Sequence, residues 1–326
     1  IEGDPEFKTA EKITYAVKFD NSAATNTSYS VSYGDGTYTT VFYAATIDKN
    51  SGIIHENFKS GYPDGKITVY CYETSLITGE TKFTFQGEDK VFEGGESKVT
   101  KSYFLSVEDR LRPVYSYQKF NSVSPAVLNA TSLEDTYAVQ KCEYTTYYSW
   151  DGSQAITDAD ENGEKSVKTT DGLNNTANTM FDLAYLDIAV RACKLSATLS
   201  QQISLYTAHS GVSDYTLSGN ARALADGEKT AITAKLKDKG LYVPSYKEDD
   251  KGNQVEEGLN TVAVSVTYNG ELSGVSQTYW FAAIGNARNN TGRATLLKIE
   301  YPLTFNLGVS NFTLQSIEST LWDGKN

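Results

Sequence analysis

The sequence predicts a mainly β protein: one large, strongly curved antiparallel sheet, or half-barrel, with a single buried helix at about 179–195. Three observations predict it. Apolar residues alternate with period two along most of the 326 residues, Gly, Asn and Asp punctuate those runs, and Thr179–Leu195 breaks the alternation. Two β-sandwich-like halves are the alternative arrangement. Long strands joined by tight turns favour the curved sheet.

The clearest strand places Val262, Val264, Val266 and Tyr268 on one face and Ala263, Ser265, Thr267 and Asn269 on the other. Asn269-Gly270 then signals a turn, and the chain returns through Thr278–Ile284. Further strands are predicted at Ile13–Phe19, Ser28–Tyr33, Tyr38–Ile47, Lys66–Tyr72, Lys82–Phe85 and Lys98–Leu105. Pro113–Phe120, Tyr137–Trp150, Ala294–Glu300 and Phe312–Ile317 complete the set.

Thr179–Leu195 reads as a helix because Asp187, Arg191 and Lys194 fall on one narrow stripe at 100° per residue. Asp182 suits the positive end of the dipole in the first turn, and most of the remaining circumference is apolar. Such a helix is enclosed, and in a β protein that places it against a concave sheet. Phe181, Tyr185 and Ile188 form one stripe on it and are candidate ligand contacts. Asp226–Gly240 fits either a capped helix or a strand, and the alternation of Thr230–Leu236 favours strand.

Two polar connections interrupt the strands. Residues 151–178 read as a flexible polar insertion, and Lys247–Gly258 carries Val255 as its sole apolar side chain. Ile1–Phe7 resembles a cloning scar, so residues 8–326 are expected to form one large β domain. No run of about 18 apolar residues is present, as a transmembrane helix would require. The native N-terminus is expected to have been trimmed, together with any signal peptide, lipid anchor or stalk it carried.

Composition narrows the function. Twenty-three Tyr against one Met suits pleated surfaces, where rigid aromatic rings pack across strands. A net charge of −12 argues against nucleic acid and against anionic lipid headgroups as partners. Cys71, Cys142 and Cys193 have no metal-ligand spacing and read as small buried hydrophobes, with at most one disulfide among them.

Catalytic patterns are missing. The two histidines, His55 and His209, stand in loop-like contexts, and neither a hydrolytic triad, HExxH nor a glycine-rich phosphate loop occurs. The chain is therefore expected to be no enzyme and to need no cofactor. Asp158–Gly163 opens like a calcium loop, but position 12 is Thr169 where a bidentate Glu is required, so no metal site is assigned. Aromatic residues are the better candidates. Tyr144, Tyr148 and Trp150 fall on one face of a predicted strand, Tyr147 on the other, and Tyr115 with Tyr117 on a neighbour. Such ladders stack sugars, line apolar grooves, or pack the sheet.

Several segments resemble a bacterial envelope family of unknown function related to the LolA-like lipoprotein-carrier half-barrels. They are Leu259–Tyr268, Thr278–Ala282, Leu297–Leu303 and Phe312–Ser316, preceded in matching order by Leu111–Tyr115 and Phe181–Arg191. The resemblance implies a concave sheet with a helix across it, an extracytoplasmic location and no enzyme activity. The expected function is non-catalytic binding at the bacterial surface or envelope, with a hydrophobic or amphipathic ligand, such as a lipid, in the concave face. A carbohydrate-binding protein using exposed Tyr and Trp on polysaccharide is the runner-up, and a structural or adhesive surface protein is the third class.

Overall fold

The computed structural model describes residues 9–107, 110–173, 179–181, 190, 195–208, 211–270, 276–283, 286–287 and 294–321. The first half of the chain supplies β1 (Thr9–Asp20), β2 (Ser30–Tyr33), β3 (Gly36–Ile47), β4 (Ile67–Thr78), β5 (Thr81–Phe85), β6 (Glu88–Phe92), β7 (Ser97–Val107), β8 (Arg110–Pro125) and β9 (Tyr137–Tyr148). β10 (Ala155–Glu161), β11 (Glu164–Thr170), β12 (Thr179–Phe181), β13 (Ser200–Thr207) and β14 (Gly211–Asn220) follow. Helix α1 (Asp226–Asp238) precedes β15 (Ser245–Glu248), β16 (Gln254–Gly258), β17 (Thr261–Tyr268), β18 (Ser276–Ala282), β19 (Leu296–Pro302) and β20 (Val309–Leu321).

Fifteen of these strands form one sheet, in the order β11-β10-β9-β8-β7-β4-β3-β1-β20-β19-β18-β17-β14-β13-β12. Every pairing in it is antiparallel except the short β12 with β13. The first and last strands are neighbours, from Thr9 opposite Leu321 to Asp20 opposite Val309, so the two ends of the chain meet in the middle of the sheet. This continuous sheet excludes the arrangement as two separate sandwich-like halves.

The sheet is rolled but not closed. Residues of β13 go to different cores: Ile203 packs with Val264 and Phe281, whereas Tyr206 packs with Phe42, Tyr70, Phe104 and Tyr148. Both faces of β13 are therefore covered, because this end of the sheet curls inside the β9–β11 end. The Thr170 hydroxyl at the end of β11 comes within 3.4 Å of the Tyr206 hydroxyl.

Three elements dress this roll. Residues 48–66 cross the outer face of β4, β7 and β8, burying Ile54 and Tyr62 against Val69, Cys71 and Val114. A small sheet, β2-β5-β6, packs Val31, Phe83 and Phe85 with Val123 and Leu307 at one end. Helix α1 covers the outer face of β18–β20 with Ile232 and Leu236, both fully buried. There Lys298, 6% exposed, pairs with Glu228 of the helix at 2.7 Å and with Glu300 at 2.9 Å.

Four sequence expectations need correction. Residues 226–238 are helical, not a strand, because Ile232 and Leu236 are i,i+4 neighbours that share one helix face as readily as they alternate. The helix starts with the Glu228 carboxylate accepting from the Ala225 N–H at 3.3 Å and stops at Gly240, whose φ is +66°. Residues 155–170 form the β10–β11 hairpin at the sheet edge rather than a flexible insertion. Asn162 and Gly163, both at positive φ between Glu161 and its partner Glu164, make the tight turn that the sequence offers as a calcium loop. Within Lys247–Gly258, β16 pairs with β15 as a second hairpin. Finally, Thr179–Phe181 is strand, not the start of a helix. Residues 182–189 and 191–194 of the expected helix lie outside the described residues, while Val190 is helical and fully buried in the core with Ile203 and Leu217.

Candidate functional site: a cavity on the concave face

The strand register sorts the concave face into layers. One cross-strand row reads Ala44, Tyr70, Phe104 and Pro113, and Tyr148, opposite Ala155, packs in the same aromatic and apolar layer. The next rows turn to hydroxyls. Thr74 bonds Thr100 at 2.7 Å, Thr146 bonds Thr157 at 3.0 Å, and all four are buried beside Ser102 and Ser116. Beyond them the rows reach Leu76, Lys98 and Phe120, then Glu96, Ser122 and Gln140. There the face opens into a cavity of about 410 Å³.

Two kinds of side chain, interspersed along the strands, line this cavity. Tyr33, Phe120, Tyr301 and Phe312 supply aromatic surface, with Leu76 and Leu303 between them. Gln118, Gln140, Thr207 and Ser310 supply amides and hydroxyls. The Tyr301 ring is 44% exposed although it lines the cavity, so its surface is available to an occupant. The small sheet fixes Tyr33, whose hydroxyl donates to the Val123 carbonyl at 3.0 Å and whose ring meets Phe19 edge-on at 5.3 Å.

Glu96 is the titratable acid of this wall. The strand entry that carries it depends on Gly95, whose φ is +54° and whose place would put a Cβ 1.8 Å from the Gly79 carbonyl oxygen. The Glu96 N–H donates to the Thr78 hydroxyl at 2.9 Å, and its carbonyl accepts from the Thr78 N–H at 2.9 Å, anchoring the turn to β4. Burial pushes the Glu96 carboxyl up to about 7, against the opposing pull of the Lys98 ammonium and a hydrogen bond from the Val123 backbone. By surface area the residue is only partly buried, because it borders the cavity; its separation from bulk water decides the direction of the shift. Lys98 has partners of its own. Burial, reinforced by the nearby Glu96 charge, also raises the Tyr33 phenol.

No family model matches the chain, and no curated protein does. Among solved structures, the chain is similar to the crystal structure of a β-barrel-like protein of the domain of unknown function DUF1849 from Brucella abortus. That pair is 8% identical, covers 96% of this chain and 98% of the other, and has a TM-score of 0.49. The relation to the LolA-like carriers is not shown by these comparisons.

The residues singled out from sequence fall elsewhere. Tyr144 and Tyr148 do share the concave face, and each is 2% exposed. The Tyr144 hydroxyl donates to Glu161 at 2.6 Å, and Tyr148 packs with Tyr70 and Phe104. Trp150 does not share their face. The strand ends at Tyr148, and the following turn carries the indole to the outer cluster, edge-on to Tyr62 at 5.2 Å and beneath the Arg112 guanidinium at 4.0 Å. Phe181 lies in β12, and Tyr185 and Ile188 lie outside the described residues. His55 stacks near Tyr147 at 5.3 Å on the outer face; His209 and Cys193 lie outside the described residues. Cys71 and Cys142 are buried free thiols, and burial pushes the Cys71 thiol up to about 12.

Outside, a row of Tyr103, Tyr115 and Tyr147 crosses three strands. Adjacent rings are inclined by 51° and 64°, so they pack edge to face rather than forming a flat platform for a polysaccharide. The cavity residues were missed because eight strands and the connection at Leu303–Thr304 supply them from across the chain. A faint signal exists: Gly94-Gly95-Glu96 puts a carboxylate between a forced turn and a strand, and Tyr301 directly precedes a proline at a strand end.

Proposed function

We propose that this chain is a non-catalytic binding protein of the bacterial cell envelope, whose ligand is a small amphipathic molecule held in the concave-face cavity. One observation carries the reading: a cavity of about 410 Å³ whose lining intersperses aromatic rings with amides and hydroxyls. Its size falls in the range of about 300–1,000 Å³ usual for small-molecule sites. An amphipathic ligand matches both kinds of surface, whereas a purely apolar one would strip water from Gln140 and Ser310 without replacing their hydrogen bonds. The envelope part of the proposal rests on the sequence resemblance.

Nile red, a neutral apolar dye, tests the binding reading. The protein is expected to bind it with a blue-shifted emission, and Ser310→Trp, which fills the cavity from β20, is expected to abolish that signal with the melting temperature held. Native mass spectrometry of protein purified from its own host is expected to show a co-purified small molecule. Dye binding unaffected by Ser310→Trp would remove the cavity from consideration.

A further inference from the structure

We infer that the polar part of the cavity's ligand is an uncharged, hydroxyl-rich group of the sugar type, attached to an apolar remainder. This rests on the binding reading above and names the chemistry of its occupant. The argument begins with charge. The charged side chains that line the cavity are Glu96 and Lys98, two residues apart on the same face of β7 and its entry turn. Lys98 is already engaged, and the Glu96 carboxylate feels its ammonium.

Neither charge is therefore offered whole to an occupant. A fatty-acid carboxylate or a phosphate entering the cavity would lose hydration for a cation that already has partners. An alkylammonium would meet a carboxyl whose ionisation burial opposes, with Lys98 beside it. Both pay desolvation that the site does not return. Gln118 and Thr207 are buried and have protein partners of their own. The other polar lining groups include Gln140, Asn121, Ser122, Ser124 and Ser310, each able to donate and accept. Paired donors and acceptors match hydroxyl groups, which need both. Interspersed with these side chains, the exposed Tyr301 and the rings of Phe120 and Phe312 suit the C–H face of a pyranose or the start of an alkyl chain. A Glu96 that keeps its proton near neutrality also donates and accepts, as a hydroxyl partner does.

Other groups facing Glu96 do not alter this balance. Tyr33 from β2 gives its hydroxyl proton to Val123, and Tyr301 from β19 presents a phenol.

The experiment displaces Nile red from the protein at pH 7 with octyl glucoside, sodium octanoate and octylammonium chloride, each below its micelle-forming concentration. Methyl glucoside forms a fourth arm. Octyl glucoside is expected to displace the dye at concentrations about tenfold lower than either charged amphiphile, and Tyr301→Ala to weaken it by about tenfold with an unchanged melt. Displacement by octyl glucoside at much lower concentration than methyl glucoside supports the inference, and equal displacement by methyl glucoside overturns it by removing the apolar remainder. Octanoate or octylammonium equal to or better than the glucoside overturns it, as does a bound dye that the glucoside fails to displace, and in each case the binding proposal stands. Failure of Nile red to bind the cavity overturns the binding proposal and this inference together.

Discussion

The indole N–H of Trp280 donates to the Arg222 carbonyl at 3.0 Å, and the Arg222 guanidinium folds back over the same ring, 5.1 Å from its centroid. Lys298 lies over that ring at 5.1 Å too, so one tryptophan meets two cations on the outer face of β18 and β19. Arg222 and Lys298 both pair with Glu300, at 2.7 and 2.9 Å, which neutralises their charge beside an apolar ring. The loop after β14 is thereby fastened to the sheet beneath α1.

Removing this ring should be costly. Trp280 is 1% exposed, so Trp280→Ala is expected to lose about 3–5 kcal/mol of stability. Trp280→Phe keeps most of the apolar contact but leaves the Arg222 carbonyl without its donor, and should lose about 1–3 kcal/mol. Urea midpoints at constant slope measure both, and a Phe variant as damaging as the Ala one would contradict this division.

Ser102 should behave in the opposite way. Its side chain is fully buried on the concave face, and its hydroxyl has no hydrogen-bond partner among the described residues. A desolvated, unbonded hydroxyl lowers stability. Ser102→Ala is expected to leave stability unchanged or raise it by up to about 1 kcal/mol. A clear drop in the thermal midpoint would show that the hydroxyl is bonded after all.

How far such a fold can be read from sequence depends on what each residue contacts. β17 declares itself because Val264 and Val266 are buried while Ser265 and Thr267 are not, so alternation reports the two faces directly. The β10–β11 hairpin hides because only Ala155, Ile156 and Thr157 are buried, while β11 is an edge strand with Val167 70% exposed. A solvated edge needs no apolar pattern. Helix α1 hides because it buries only Ile232 and Leu236, a stripe too narrow to distinguish a period of 3.6 from one of 2. The cavity is less legible still. Glu96, Gln140, Thr207 and Tyr301 come together only because the sheet rolls, and that curvature comes from bulges such as those between Tyr103/Phe104 and Trp280/Phe281.

Gly95 is expected to admit no side chain. A Cβ there would lie 1.8 Å from the Gly79 oxygen and 2.6 Å from the Thr78 oxygen, both backbone atoms that are held in place by pairing. The positive φ of 54° adds strain for any other residue. Gly95→Ala should cost about 2–4 kcal/mol and move Glu96 away from the cavity. Gly87→Ala, at φ +87° in an open turn with nothing within 4 Å, should cost only the strain of its backbone, about 1 kcal/mol. Equal losses at the two sites would refute the close-approach argument.

Glu96 itself should make stability fall as pH rises toward neutrality. Its carboxyl is raised from an ordinary 4.5 up to about 7 in the folded protein, chiefly by burial. Between those two values the unfolded chain has released the proton and the folded chain still holds it. The folded state therefore binds more protons across that window, and raising the pH favours unfolding. The decline begins near the unfolded value, levels off above the folded one, and is on the order of 3 kcal/mol in total. Exposed carboxylates such as Asp20, Asp89 and Asp249 are shifted downward instead by hydrogen bonds to them, so their contributions are lost only as pH falls below the ordinary carboxylate range. Comparison with Glu96→Gln cancels those terms, because the amide stays neutral at every pH. The variant is expected to match the parent near pH 4.5 and to exceed it at pH 8 by roughly 3 kcal/mol. Urea midpoints measured on both proteins across this range test the sign as well as the size, and parallel profiles would mean that the Glu96 carboxyl ionises as freely in the cavity as in water.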